Sequence, residues 1–200
     1  MDNFGCLYCG YHDRERHLVM FFDKLKLWDR MKNLKILHFA PETQLAIKID
    51  EQLPLDYIKA DLYPTNQDIK QIDATAIPFN SDTFDFLIAN HILEHIPDYR
   101  SALSEFHRVL KPGGTAILQT PYSKRLRNNF EDEGIDNDGL RLFFYGQEDH
   151  VRRFGEHQFL KSLEEAGFNL HIKKHEDCFD VSTAYYYGVP AKEDLIMVQK

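Results

Sequence analysis

The sequence predicts an α/β fold: a mostly parallel, seven-stranded sheet with helices on both faces and an antiparallel edge strand. Three observations carry that expectation. Short apolar runs alternate with segments of helical periodicity. Several runs, LKILHF at 34–39 and FDFLIAN at 84–90 among them, are apolar almost throughout, as strands buried on both faces are. No helical pattern separates the last two strand segments, 168–174 and 194–199, so they are expected to pair antiparallel at one edge.

The elements follow in order. Residues 13–31 read as a helix, because Leu18, Phe21, Phe22, Leu25 and Trp28 recur on one face with charges between them. Residues 34–39 form the first strand. Pro41 introduces a second helix over 42–53, and Pro54 stops it. Strands come next at 56–62, at 68–74 and at 84–90. Asp98 caps a helix whose Ala102, Phe106, Val109 and Leu110 form an apolar stripe, and LKPGG ends it. Residues 114–120 are a fifth strand. The segment 121–155 reads as irregular, rich in Asn, Asp, Gly and aromatics. A helix at 156–166 closes on Gly167, then strand 168–174, a second irregular insert and strand 194–199 complete the chain.

Two hundred residues, 43% of them hydrophobic, suit one domain with a full core. The organisation expected is an N-terminal helical extension with a C-x-x-C segment at 1–33 and a catalytic domain at 34–200, with 121–155 and 176–192 as inserts on the substrate side. A net charge of −8 argues against a general nucleic-acid binder, and the basic run SKRLRNN (Ser123–Asn129) is too short to change that. Three cysteines fit a reducing compartment. With no apolar run of membrane-spanning length and no signal-peptide core, a soluble, cytoplasmic protein without a membrane partner is expected.

In a doubly wound sheet ligands gather beyond the C-terminal strand ends, where strand order reverses. Those ends carry Ala40-Pro41-Glu42, Asp61, Asp73-Ala74-Thr75, Asn90-His91 and Thr120-Pro121-Tyr122. Asp61 stands about 20 residues past the first strand–helix junction, the interval of a carboxylate that takes ribose hydroxyls. The junction itself, ILHFAPE, has no glycine. A pyrophosphate needs close backbone approach and a positive helix start; Glu42 would repel it. A phosphate-free cofactor with positive groups suits such a junction, and S-adenosylmethionine is one.

DATAIPFNSDTFDFLIANHILEHIPDYRSALSEFHRVLKPGGTAIL (73–118) resembles the core of class I S-adenosylmethionine-dependent methyltransferases. The similarity spans roughly residues 34–120; HFAPE and DHVRRFG (149–155) resemble a bacterial branch of that family. The resemblance implies a Rossmann-like methyltransferase fold and assigns cofactor contacts. His38, Phe39, Ala40 and Glu42 would lie at the methionine part, Asp61 and Leu62 at the ribose and adenine, and Asp73, Ala74 and Thr75 at the adenine amino group. Asn90 and His91 would line the sulfonium end, and Ile77 could wall the adenine.

Methyl transfer needs alignment and, for a hydroxyl acceptor, a nearby base. His91, directly after the fourth strand, and His150, in the long insert, are the catalytic candidates. Tyr122, Tyr145, Arg152 and Arg153 are expected to touch a small-molecule acceptor, the arginines suiting a carboxylate or phosphate on it. His95 is expected to pack locally. Cys6, Cys9, His12 and His17 could offer four zinc ligands, but the spacing after Cys9 is tight and zinc is not favoured. Two other readings remain open: a methyltransferase-like binding protein without activity, and a nicotinamide-dependent reductase. The latter needs a pyrophosphate turn, which Glu42 opposes, and a Tyr-x-x-x-Lys pair, which the chain lacks. Oligomeric state is not readable.

Overall fold

A computed structural model describes residues 5, 6, 8 and 10–200. Its seven-stranded sheet has the order β3-β2-β1-β4-β5-β9-β8. The strands are β1 (Lys35–Phe39), β2 (Asp56–Asp61), β3 (Ile69–Gln71), β4 (Phe84–Ala89), β5 (Leu110–Ile117), β8 (Asn169–Leu170) and β9 (Met197–Gln199). The first five are parallel. β9 pairs antiparallel with both β5 and β8, the expected edge. From β1 the chain winds outward through β2 and β3, then returns to lay β4 on the other side of β1. Strand order therefore reverses between β1 and β4.

Alternation along the strands builds two cores. Leu37, Phe39, Leu87, Ala89, Ala116 and Leu118 share one cluster with Phe106 and Val109 of α3 (Tyr99–Val109) and with Phe159 and Leu163 of α5 (Glu156–Glu165). Ile36, Phe86, Ile88 and Ile117 share the other with Leu18, Phe21 and Phe22 of α1 (Asp13–Lys24) and Leu45 and Ile49 of α2 (Thr43–Asp50). Helix α1 thus belongs to the layer that covers the sheet. Each buried Leu, Ile or Phe contributes about 1.5–3 kcal/mol, so these two faces supply the main driving force.

The quoted motif doubles as a clasp. Arg108 donates to the carbonyls of Phe79 (2.7 Å) and Ile77 (2.8 Å), and Glu105 Oε2 accepts from the Ile77 amide at 2.8 Å. Asp85 accepts from the Lys35 amide and from Lys111 Nζ. The loop carrying Asp73 is fixed in this way to α3.

Several boundaries differ from expectation. The helix read at 13–31 ends at Lys24: Lys26 adopts φ 53°, and Trp28–Arg30 is a separate 3₁₀ turn. β5 begins at Leu110 rather than 114, because KPGG makes a bulge in which Phe84 faces Leu110 and Phe86 faces Thr115. Strands 168–174 and 194–199 shrink to β8 and β9, joined further on by a single Lys173–Leu195 bridge. The insert 121–155 is not wholly irregular. It holds β6 (Tyr122–Ser123) paired with β7 (Phe154–Gly155), and α4 (Asp138–Tyr145). The second insert contains α6 (His175–Cys178) and α7 (Val181–Tyr187). No helix among the described residues is long and apolar enough to cross a membrane.

Candidate active site

Above the β1/β4 reversal lies a cavity of about 420 Å³. Its walls include Phe39 and Ala40 from the end of β1, Asp61 and Leu62 from β2, Asp73 and Ala74 after β3, and His91 after β4. Seven of the residues assigned to the cofactor are therefore brought together. Tyr63, Ile72, Ile92, His95, Ile96 and Asp149 complete the wall and were not foreseen in that role.

Asp61 and Asp73 are presented by short turns. Asp61 Oδ1 accepts from the Tyr63 amide at 2.8 Å; Asp73 Oδ1 accepts from the amide (2.8 Å) and hydroxyl (2.7 Å) of Thr75. Thr75 thus orients Asp73 rather than lining the cavity. The backbone also bends sharply where it meets the site, with φ 45° at Ala40 and 55° at His91.

His38, Glu42 and Asn90 stand behind the wall as a hydrogen-bonded chain. Tyr57 Oη meets His38 Nδ1 at 2.8 Å, His38 Nε2 meets Glu42 Oε2 at 3.2 Å, and Asn90 Nδ2 donates to Glu42 Oε1. Burial would push the Glu42 carboxyl up, but the bonds and charge of His38 and the bond from Asn90 outweigh it and hold it below the usual range. A carboxylate is thereby fixed at the start of α2. Asn90 Oδ1 is buried without a hydrogen-bond partner.

At the inner end His91 lies between two acids. Its Nδ1 is 3.4 Å from Glu94 Oε1 and its Nε2 3.6 Å from Glu193 Oε1. Burial would lower the imidazole, yet the two carboxylates push it up to about 9. Glu94 Oε2 accepts from Thr120 Oγ1 at 2.8 Å, and Glu193 Oε1 from Gln119 Nε2 at 2.7 Å. Neither glutamate was singled out from sequence. Glu94 sits in the LEH motif already quoted, but Glu193 reaches the site only through the folding of the antiparallel edge.

A smaller cavity, about 110 Å³, gathers Tyr122, Tyr145, His150, Arg152 and Arg153, the residues expected at the acceptor. Arg152 is turned inward. Its guanidinium bonds Glu131 and the carbonyls of Leu93, Ile96 and Pro97 and lies over the Tyr99 ring, 4.8 Å from its centre. His150 is buried, and that burial lowers its imidazole. His95 Nδ1 is 3.1 Å from Asp149 Oδ2.

The zinc ligands considered at the N-terminus do not come together as a described set, because Cys9 lies outside the described residues. His17 is committed elsewhere: its Nε2 is 2.7 Å from His175 Nδ1 in the core.

A family model described as a methyltransferase domain matches residues 16–172, well over half of the chain. The chain belongs to that methyltransferase-domain family. Its fold is similar to that of an S-adenosylmethionine-dependent methyltransferase from Mesorhizobium loti, with a TM-score of 0.65, 13% identity, and coverage of 92% of this chain and 100% of the other. Among curated relatives, the demethylmenaquinone methyltransferase of Staphylococcus epidermidis strain RP62A is 49% identical over 45 residues, 22% of this chain and 19% of the relative. That of Lysinibacillus sphaericus is 35% identical over 83 residues, 41% of this chain and 32% of the relative. The matches thus span a third or less of those relatives.

Proposed function

We propose that the protein moves a methyl group from S-adenosylmethionine to a small-molecule acceptor by in-line displacement, with the cofactor held in the cavity at the β1/β4 reversal. One observation carries this reading: two carboxylates, Asp61 at the end of β2 and Asp73 in the turn after β3, rim one mainly apolar cavity above the β1/β4 reversal.

The residues present suit that cofactor. Asp61 offers acceptor oxygens to two ribose hydroxyls, and Asp73 accepts from an adenine amino group between Leu62 and Ile72. At the other end the Glu42 carboxylate and the unpartnered Asn90 Oδ1, just behind the wall, put negative charge where an ammonium would come to lie. When bound, S-adenosylmethionine supplies a methyl group already activated by its sulfonium.

The chain's own task is then alignment and exclusion of water. Ala40 and His91, in their left-handed conformations, bring backbone close to the cofactor's place. His91 is held between the Glu94 and Glu193 carboxylates, so it serves as a fixed cationic group that shapes the inner wall. Tyr122, Tyr145, His150 and Arg153 face the acceptor from the insert. The demethylmenaquinone methyltransferases among the relatives support a small organic acceptor.

The test is a panel of small acceptors (quinols, phenols, amines and carboxylates) incubated with S-adenosylmethionine, reading S-adenosylhomocysteine release. Acceptor-dependent release that Asp61→Ala suppresses is expected. Cofactor binding without release for any acceptor would favour a binding protein instead.

A further inference from the structure

We infer that Glu94, His95 and His150 form a site for one divalent transition-metal ion at the junction of the two cavities. Each offers one donor atom, and the three atoms lie within 4.8 Å of one another. Glu94 and His95 come from the 3₁₀ turn Leu93–His95; His150 comes from the long insert. A carboxylate and two imidazoles form a donor set suited to zinc, iron or manganese, whereas oxygen ligands alone suit magnesium or calcium. Bonds of about 2.1 Å place donors at most about 4.2 Å apart. An ion would draw the donors slightly inward from the 4.8 Å limit found here.

The surroundings point the same way. Metal-bound imidazoles donate their second ring nitrogen to a carboxylate or carbonyl. Here His95 Nδ1 faces Asp149 Oδ2 at 3.1 Å, and His150 lies beside Tyr145 in the wall of the smaller cavity. Asp149 lies outside the cluster and engages His95 through Nδ1, so Nε2 is the nitrogen His95 has to offer an ion. The two rings meet edge to face with centres 4.7 Å apart. Glu94 is only 1% exposed. Thr120 bonds one of its oxygens and His91 approaches the other; a carboxylate with about four acceptor positions still has room for an ion.

Placement gives the ion a use. His95 and Asp149 line the cofactor cavity, while His150 lines the acceptor cavity. This use rests on the methyltransferase reading and narrows the acceptor to one with an oxygen that binds the ion, such as a phenol. A metal-held hydroxyl loses its proton to solvent more readily. Its oxygen pair forms the bond to the methyl carbon, and the carbon–sulfur pair returns to sulfur as the neutral thioether leaves. His150 then acts on the acceptor through the ion rather than as a base.

The test is titration of metal-free chain with Co²⁺, followed by calorimetry and visible absorption, alongside S-adenosylhomocysteine binding. One Co²⁺ per chain is expected, with a nitrogen–oxygen ligand spectrum that the Cys6→Ser/Cys9→Ser double variant retains. His150→Ala abolishes it while leaving S-adenosylhomocysteine binding intact. Asp149→Asn, at an exposed position, weakens it about 10–100-fold. No stoichiometric uptake, uptake indifferent to His150→Ala, or uptake lost with the cysteines would overturn the site. Cobalt uptake without S-adenosylhomocysteine binding would spare the site and refute the cofactor reading.

Discussion

Glu42 and Asn90, 48 positions apart in the chain, meet where β1 and β4 diverge, the Asn90 amide donating to the Glu42 carboxylate. The glycine-free first turn is therefore a built acidic anchor. Glu42→Ala leaves Asn90 and His38 without their acceptor in a buried setting, which costs about 1–3 kcal/mol. A lower melting temperature together with at least tenfold weaker S-adenosylmethionine binding is expected. Unchanged values for both would mean the chain of three residues is incidental.

Arg108 should act on the cofactor site from a distance. Its bonds to Ile77 and Phe79 hold the loop that carries Asp73. Arg108→Ala is expected to cost about 2 kcal/mol, discounted for its partial exposure. The specific signature is faster hydrogen exchange at the Ile77 amide, which bonds Glu105. Native exchange there in the variant would rule out the clasp.

Arg152 and Arg153 are neighbours with different tasks. Removing the Arg152 guanidinium strands the carbonyls of Leu93, Ile96 and Pro97, at about 2–4 kcal/mol. In a chain this size that lowers the melting temperature by roughly 5–15 °C. Arg153 is exposed beside the acceptor cavity, so Arg153→Ala should keep stability and raise KM for an anionic acceptor. Differential scanning calorimetry and steady-state kinetics on the two variants separate these roles; a reversal of the two effects would contradict them.

Acid should loosen α1. Burial, partly offset by the charge of Glu193 and reinforced by His175, lowers the His17 imidazole from 6.5 to about 4. The unfolded chain takes up this proton first, so stability is complete above about pH 6.5 and falls as pH drops toward about 4. The loss amounts to at most about 3 kcal/mol. Urea midpoints should follow that curve, and His17→Phe should flatten it; a wild-type midpoint constant from pH 7 to pH 4.5 would refute the argument.

Much of this was legible in the sequence because it is local. Strands buried on both faces announce themselves by continuous apolar runs, and the residues after each strand fall at the reversal point by topology alone. By that rule Asp61, Asp73 and His91 are expected together, and they do line one cavity. The misses have physical reasons too. A positive φ at Lys26 breaks an unbroken helical pattern, and KPGG bulges a strand instead of ending a helix cleanly. Helix α4 was missed although its signals were present: Asn137 caps it by accepting from the Leu140 amide, and Gly146 closes it at φ 94°. Glu193 and the Glu94–His95–His150 meeting depend on how distant segments dock, and no local pattern encodes that.

The central claim is that the cavity rimmed by Asp61 and Asp73 holds the cofactor. Calorimetric titration of the chain with S-adenosylhomocysteine tests it most directly, repeated on Asp61→Ala and Asp73→Ala. Saturable binding to one site, weakened about tenfold or more in each variant without loss of fold, is the predicted result. Absence of heat with the native chain, or equal affinity in all three proteins, would contradict it.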